Sequence, residues 1–117
     1  MQINFSKRFL KDLKHLNKKH SLVRRDVDDL IAMLQANEIP GDRLQGTGDY
    51  TVYKVRLKMS GSVKGKSAGY RVIYWLQSVS GAVLLTIYAT GEQADISSEE
   101  INMIISDLAV SNDPDAD

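Results

Sequence analysis

Apolar residues change their period twice along this chain, and each change marks a change of secondary structure. Gln2 to Phe5 reads as a short opening strand. From Ser6 onward Phe9, Leu10, Leu13 and Leu16 recur at helical spacing, with Lys7, Lys11, Lys14 and Lys18 between them. That helix ends near Lys19-His20, and Ser21 is placed to cap a second one. The second buried stripe is Val23, Val27, Leu30, Ile31 and Leu34. Two helices joined by so short a turn form an antiparallel hairpin. Ile39-Pro40-Gly41 stops the second helix, and a polar loop continues to about Gly48.

The period then drops to two. Over residues 50–59, Thr51, Tyr53, Val55, Leu57 and Met59 point one way and Val52, Lys54, Arg56 and Lys58 the other. A Ser/Gly/Lys-rich loop follows. Residues 70–77 and 82–90 are rich in β-branched and aromatic side chains and form strands joined by the turn Ser78-Val79-Ser80-Gly81. Both are apolar on both faces, as expected in the middle of a sheet that helices cover on one side. Ser97 with Glu100 three residues on forms a capping box, Ile96 can staple against Ile101, and Ile101, Ile104, Ile105 and Leu108 make the stripe of a closing helix. The expected fold is α+β: an N-terminal strand and helical hairpin packed on a small antiparallel sheet, then a C-terminal helix. A single domain over residues 1–110 is followed by an acidic tail, 111–117, expected to fray.

Composition narrows the class. With 43% hydrophobic and 26% charged residues the chain is a folded globular protein, and no apolar run is long enough to span a membrane. There is no cysteine, so disulfides and thiol chemistry are excluded; with no visible secretory signal, a cytoplasmic location is expected. The zero net charge conceals a strong asymmetry. All 15 Lys and Arg lie between Lys7 and Arg71 with seven acids, whereas residues 72–117 hold eight acids and no Lys or Arg, so the two parts carry +8 and −8. No carboxylate occurs between Asp49 and Glu92, yet Lys54, Arg56, Lys58, Lys64, Lys66 and Arg71 all do. Six cations without a local counter-charge read as an anion site.

Lys54, Arg56 and Lys58 share one strand face at about 6.5–7 Å intervals, a spacing suited to phosphates of one nucleic-acid strand. Arg71 opens the next strand, where hairpin pairing brings it beside that row. Such a cluster can cleave RNA without a metal. The ribose 2′-hydroxyl attacks its own 3′-phosphate, and fixed cations stabilise the charge that builds on the non-bridging oxygens. Lys54, crowded by like charges, is the expected proton acceptor. Tyr88, if it faces the cations, offers a surface for a base. His15 and His20 are expected at the surface or at a helix end, and Asp26, Asp28 and Asp29 to solubilise the second helix. No His/Asp/Glu spacing suits a metal, and Gly46-Thr47-Gly48 lacks the strand–loop–helix context of a phosphate loop.

The order Gly41-Asp42-x-Leu44-Gln45-Gly46-Thr47-Gly48, Tyr53-Lys54-Val55-Arg56-Leu57, Gly65-Lys66-x-x-Gly69-Tyr70-Arg71-Val72-Ile73-Tyr74, then Leu84-Leu85-Thr86-Ile87-Tyr88 and Glu92-Gln93-x-Asp95-Ile96 resembles the RelE/HigB toxins over nearly the whole chain. The resemblance implies a RelE/ParE-like, microbial-ribonuclease-type fold. It also implies a ribosome-dependent endoribonuclease that cuts messenger RNA and is silenced by a cognate antitoxin, expected to carry a helix-turn-helix. Partners would be that antitoxin, the ribosome and messenger RNA, with no membrane, metal or cofactor. Lys54, Arg56, Lys58 and Arg71 would carry catalysis, and Lys64 and Lys66 would hold RNA. The chain departs from the family pattern at Gly91 and Ser97, which stand where RelE has an arginine and a tyrosine, and at Ala89 or Thr90, where a lysine is common. A ParE-like gyrase poison and a catalytically weakened relic that only binds antitoxin are the alternatives.

Overall fold

A computed structural model describes residues 1–61 and 69–111, with side chains as far as Leu108. The elements are β1 (Gln2–Phe5), α1 (Lys7–Lys19), α2 (Val23–Gln35), β2 (Asp42–Arg43), β3 (Val52–Lys58), β4 (Gly69–Ser78), β5 (Gly81–Ala89) and α3 (Ser98–Ser111). The α+β class and element order match expectation, but the sheet is larger and mixed. It has five strands in the order β1-β5-β4-β3-β2, with β1 parallel to β5 and the other pairs antiparallel. The opening strand is thus a member of the sheet. β2 lies where a plain polar loop was expected.

Ser6 sets the route from β1 into α1. Its Oγ accepts the Phe9 N–H (2.9 Å), capping the helix, and donates to the Leu85 carbonyl (2.6 Å), fixing that helix end against β5. Phe9, Leu13 and Leu16 are buried, whereas Leu10 is exposed and does not belong to the stripe. Ser21 does not cap α2. Leu22 occupies the cap position without a side-chain bond, because the Val23 N–H bonds back to the His20 carbonyl (3.0 Å) and the turn itself satisfies it. α2 also ends earlier than Ile39-Pro40-Gly41. Asn37 adopts the left-handed conformation (φ 65°), and the Asn37 and Glu38 N–H groups donate to the Leu34 and Met33 carbonyls, which closes the helix at Gln35.

β4 and β5 are central, and both of their faces are covered, not one. α1 and α2 lie over Val55, Leu57, Tyr70, Val72, Tyr74, Leu84, Ile87 and Ala89. On the opposite face α3 packs Ile101, Ile104 and Ile105 against Val52, Ile73, Val83, Leu85 and Tyr88. The start of α3 follows its sequence signal: Ser97 Oγ accepts the Glu100 N–H (3.1 Å), and Ile96 and Ile101 join the same cluster. The Glu100 carboxylate does not return to the cap. It accepts from Arg8 Nη2 (2.7 Å) and so links α3 to α1. α3 continues through Ser111, and the remainder of the expected tail, 112–117, lies outside the described residues.

Two contacts fix the end of the hairpin nearest the cations. Gly41 (φ 96°) lies so close to the Lys54 carbonyl that a Cβ there would collide with backbone, which lets Asp42 and Arg43 pair with Lys54 and Tyr53. Asp26, expected on the solvated face of α2, is 4% exposed and accepts hydrogen bonds from the N–H and the hydroxyl of Ser60, just beyond β3. Gly41→Ala should lower stability by about 2 kcal/mol or more, from backbone strain and collision together, read as a drop in urea midpoint. Asp26→Ala, which removes two hydrogen bonds from Ser60 to a buried carboxylate, should cost about 1–3 kcal/mol in the same assay.

Candidate nucleic-acid interface

The sheet face under α3 is covered over only part of its extent. Beyond Ile73 and Val52 it carries Lys54, Arg56, Lys58 and Arg71 in place of apolar residues. The register puts Arg56 directly opposite Arg71, and Arg71 directly opposite Tyr88, so three adjacent strands each supply one member of a row. Directly paired residues on neighbouring strands have Cα atoms roughly 4.5–5.5 Å apart. Lys54 is one step along β3, opposite Ile73, and Lys58 one step the other way, opposite Gly69. The sequence-predicted catalytic residues are therefore brought together on one face. Lys64 and Lys66 lie outside the described residues.

Like charges at directly opposed sheet positions repel. Among the described residues, neither Arg56, Lys58 nor Arg71 has a carboxylate within ion-pair distance; Arg71 makes only a 3.4 Å bond to the Tyr70 carbonyl. The row is an electrostatic cost to the fold that a bound polyanion would relieve. Arg56 and Lys58 also border an open cleft of about 500 Å³ between the end of β3 and α2, whose other wall carries Asp26 and Asp29.

Tyr88 reaches this face through a bulge. Ile73 pairs with Thr86 and Tyr74 with Leu84, so Leu85 is an extra residue in β5. Without it, strict alternation from Leu84 would turn Tyr88 toward the helical hairpin. Tyr88 is 5% exposed and packed with the α3 cluster, so it presents its hydroxyl, not an open ring for a base to stack on.

The residue that sequence reasoning missed is Asp95, in the connection from β5 to α3. A single carboxylate oxygen of Asp95 accepts from the Ile96 N–H (2.8 Å), the Tyr88 hydroxyl (3.4 Å) and Lys54 Nζ (3.5 Å). These contacts hold its carboxyl below the usual carboxylate range, the Ile96 N–H contributing most, although its side chain is 67% exposed. Nothing local signals this pair, because the partners are 41 residues apart. Lys54 thus has a carboxylate partner at 3.5 Å in addition to the cations of its own sheet face. The other nearby acid, Glu92, turns away to α1, where Lys19 and His15 (3.3 Å each) hold its carboxyl below the ordinary range. His15 thus makes an exposed contact to Glu92, and His20 closes α1 with its ring edge-on to Tyr70.

No group of His, Cys, Asp and Glu among the described residues is arranged to hold a metal. No helix of the described residues is long and apolar enough to cross a membrane. Fold and face together define an α+β protein with a mixed five-stranded sheet, packed by α1 and α2 on one side and by α3 on the other, where a cationic stretch of β3 and β4 lies beyond the α3 cluster. No protein-family model matches the chain, and no curated protein matches its sequence.

Burial raises the Tyr88 phenol to about 12, reinforced by Asp95 and opposed by Arg71, and raises Tyr70 to about 12, reinforced by Asp26. In the unfolded chain both ionise near 10, so the folded protein keeps protons that the unfolded one releases. The associated stability is complete below about pH 10 and drains away as pH rises through the folded values. The phenolate absorbance that distinguishes wild type from Tyr88→Phe should develop with a midpoint of about 12. A midpoint near that of free tyrosine would show that the hydroxyl is solvated.

Proposed function

We propose that this protein is a metal-independent endoribonuclease of the RelE/HigB toxin kind, which cuts messenger RNA on the ribosome and is neutralised by a cognate antitoxin. The observation that carries the reading is the pairing of Arg56 with Arg71 on an open sheet face, Lys54 one step away, with no carboxylate against either arginine among the described residues. Two guanidinium groups on adjacent strands suit a phosphodiester, whose non-bridging oxygens accept from such forks.

In the reaction, the ribose 2′-oxygen bonds to phosphorus as its proton passes to solvent water. The bond from phosphorus to the 5′-oxygen breaks, and that oxygen takes up a proton, leaving a 2′,3′-cyclic phosphate. Arg56 and Arg71 stabilise the charge that grows on the phosphoryl oxygens, and Lys54 adds a third positive group. The antitoxin's task on this reading is to cover or neutralise the same face, which favours an acidic segment and makes the complex salt-sensitive.

Expression of wild type and the Lys54→Ala/Arg71→Ala variant, followed by mapping of 5′ ends on translated messages, tests the reading. Wild type should generate ends within the ribosomal A site, and the double variant should generate about a hundredfold fewer or less. The variant should still fold, because both side chains lie outside the two core clusters, and should bind antitoxin more weakly and with less salt dependence, having lost two cations of the covered face. Unchanged cleavage would refute the site, and gyrase–DNA breaks with intact messages would refute the activity.

A further inference from the structure

β1 leaves one edge of the sheet open. It is the terminal strand in the order β1-β5-β4-β3-β2, and it pairs only with β5. The Gln2 N–H donates to the Ser80 carbonyl (2.8 Å) and the Ser6 N–H to the Leu84 carbonyl (3.0 Å). Backbone groups alternate sides along a strand, so Gln2, Asn4 and Ser6 address β5, and the N–H and C=O of Ile3 and Phe5 point away from the sheet. Among the described residues none of these outward groups has a hydrogen-bond partner. Phe5 is 40% exposed, and Gln2 and Asn4 are exposed as well.

Proteins usually guard an open edge with a charge, a proline or a bulge. Gln2-Ile3-Asn4-Phe5 has neither charge nor proline, and its register with β5 is unbroken. The opposite edge is guarded. There β2 consists of Asp42 and Arg43 alone, and β3 beyond it carries Arg56 and Lys58. The two faces of β1 differ in chemistry. Ile3 and Phe5 stand opposite Ala82 and Leu84 of the hairpin-side core, whereas Asn4 stands opposite Val83 of the α3 side. The strand is thus apolar on one face and amide-bearing on the other.

We propose that β1 pairs antiparallel with β1 of a second copy of this chain about a two-fold axis, Asn4 facing Asn4. In that register Ile3 of each copy lies opposite Phe5 of the other. Their outward N–H and C=O groups satisfy one another, apolar side chains meet apolar ones, and amide meets amide. An uncharged strand divided in this way finds its match in its own copy. Beyond Phe5, a groove of about 430 Å³ between the start of α1 and α3 leaves room for the second copy's Gln2. Lys7 of each copy lies three positions from the axis, so the two are roughly 15–20 Å apart, beyond the Debye length of roughly 8 Å at physiological salt. With one open edge used per copy, the assembly closes as a dimer. Four strand residues a side fall well short of the roughly 20–30 of a standard interface, so the dissociation constant should be on the order of 0.1 mM. The cationic row belongs to β3 and β4, away from this edge, and the inference holds whether or not that face cleaves RNA.

The test is sedimentation velocity of the full chain from about 10 µM to about 1 mM, with amide hydrogen exchange at both ends of the range. Wild type should shift from monomer to dimer, and the Ile3 and Phe5 N–H groups should gain protection only at the concentrated end. Asn4→Lys sets like charges face to face and should weaken association about tenfold or more. Asn4→Glu should do the same, and an equimolar mixture of the two variants should associate again. Asn4 is exposed and outside both core clusters, so each variant should keep the thermal midpoint of dilute wild type. Added salt should leave wild-type association unchanged or strengthen it. A wild type that stays monomeric at about 1 mM, with Ile3 and Phe5 unprotected, would overturn the proposal, as would dimers that salt dissolves or that neither Asn4 variant weakens. Protection gained only on adding an extended foreign peptide, with the chain still monomeric, would assign the edge to another protein and overturn it too.

Discussion

The register between β3 and β4 is the constraint on which the rest of the molecule depends. Side chains alternate across a strand, so a slip of one residue would carry Lys54, Arg56 and Lys58 under the helical hairpin and turn Val55 and Leu57 to solvent. Burying a large apolar side chain stabilises by roughly 1.5–3 kcal/mol, while an unpaired buried charge costs several times that, so both terms oppose the slip. The same register that fills the hairpin-side core with Val55, Leu57, Tyr70 and Val72 therefore delivers Arg56 beside Arg71 on the other side.

Apolar packing holds the cations where mutual repulsion would separate them. Gly41 lets β2 close on Lys54, Gly69 lets β4 approach the Leu57 carbonyl, and Asp26 ties Ser60 to α2. Each lies at the border of the cationic patch, where hydrophobic cover gives way. α3 supplies the remaining border with Ile101, Ile104 and Ile105, and the connection before it brings Asp95 to the edge of the row. The acids of the C-terminal part are thus not a distant counterweight to the basic part. Glu100 joins Arg8, Glu92 joins Lys19, and Asp95 joins Lys54, which leaves Arg56 and Arg71 without an acidic partner among the described residues.

The five-stranded sheet also separates two kinds of positive surface. On one side guanidinium groups are fixed by strand pairing at close quarters, an arrangement that suits one phosphodiester group. On the other, α1 exposes Lys7, Lys11, Lys14 and Lys18 to solvent over several turns. The α1 row stays outside the core because every third or fourth residue of that helix, from Phe9 to Leu16, is taken by packing.

Much of this was legible in the residues themselves. The periods of Phe9, Leu13 and Leu16 and of Val23, Val27, Leu30 and Leu34 located both helices. The alternation through β3 placed Lys54, Arg56 and Lys58 on one face, and Ser97 with Glu100 marked the start of α3. These features rest on interactions among residues a few positions apart, which sequence spacing records directly. Tertiary structure alone decided that β1 pairs in parallel with β5, that β2 exists, that Asp26 is buried beneath Ser60, that the bulge at Leu85 turns Tyr88 to the cationic side, and that Asp95 reaches Lys54. Each is settled by competition between distant segments for the same backbone groups or charges. A local pattern carries no information about which partner wins.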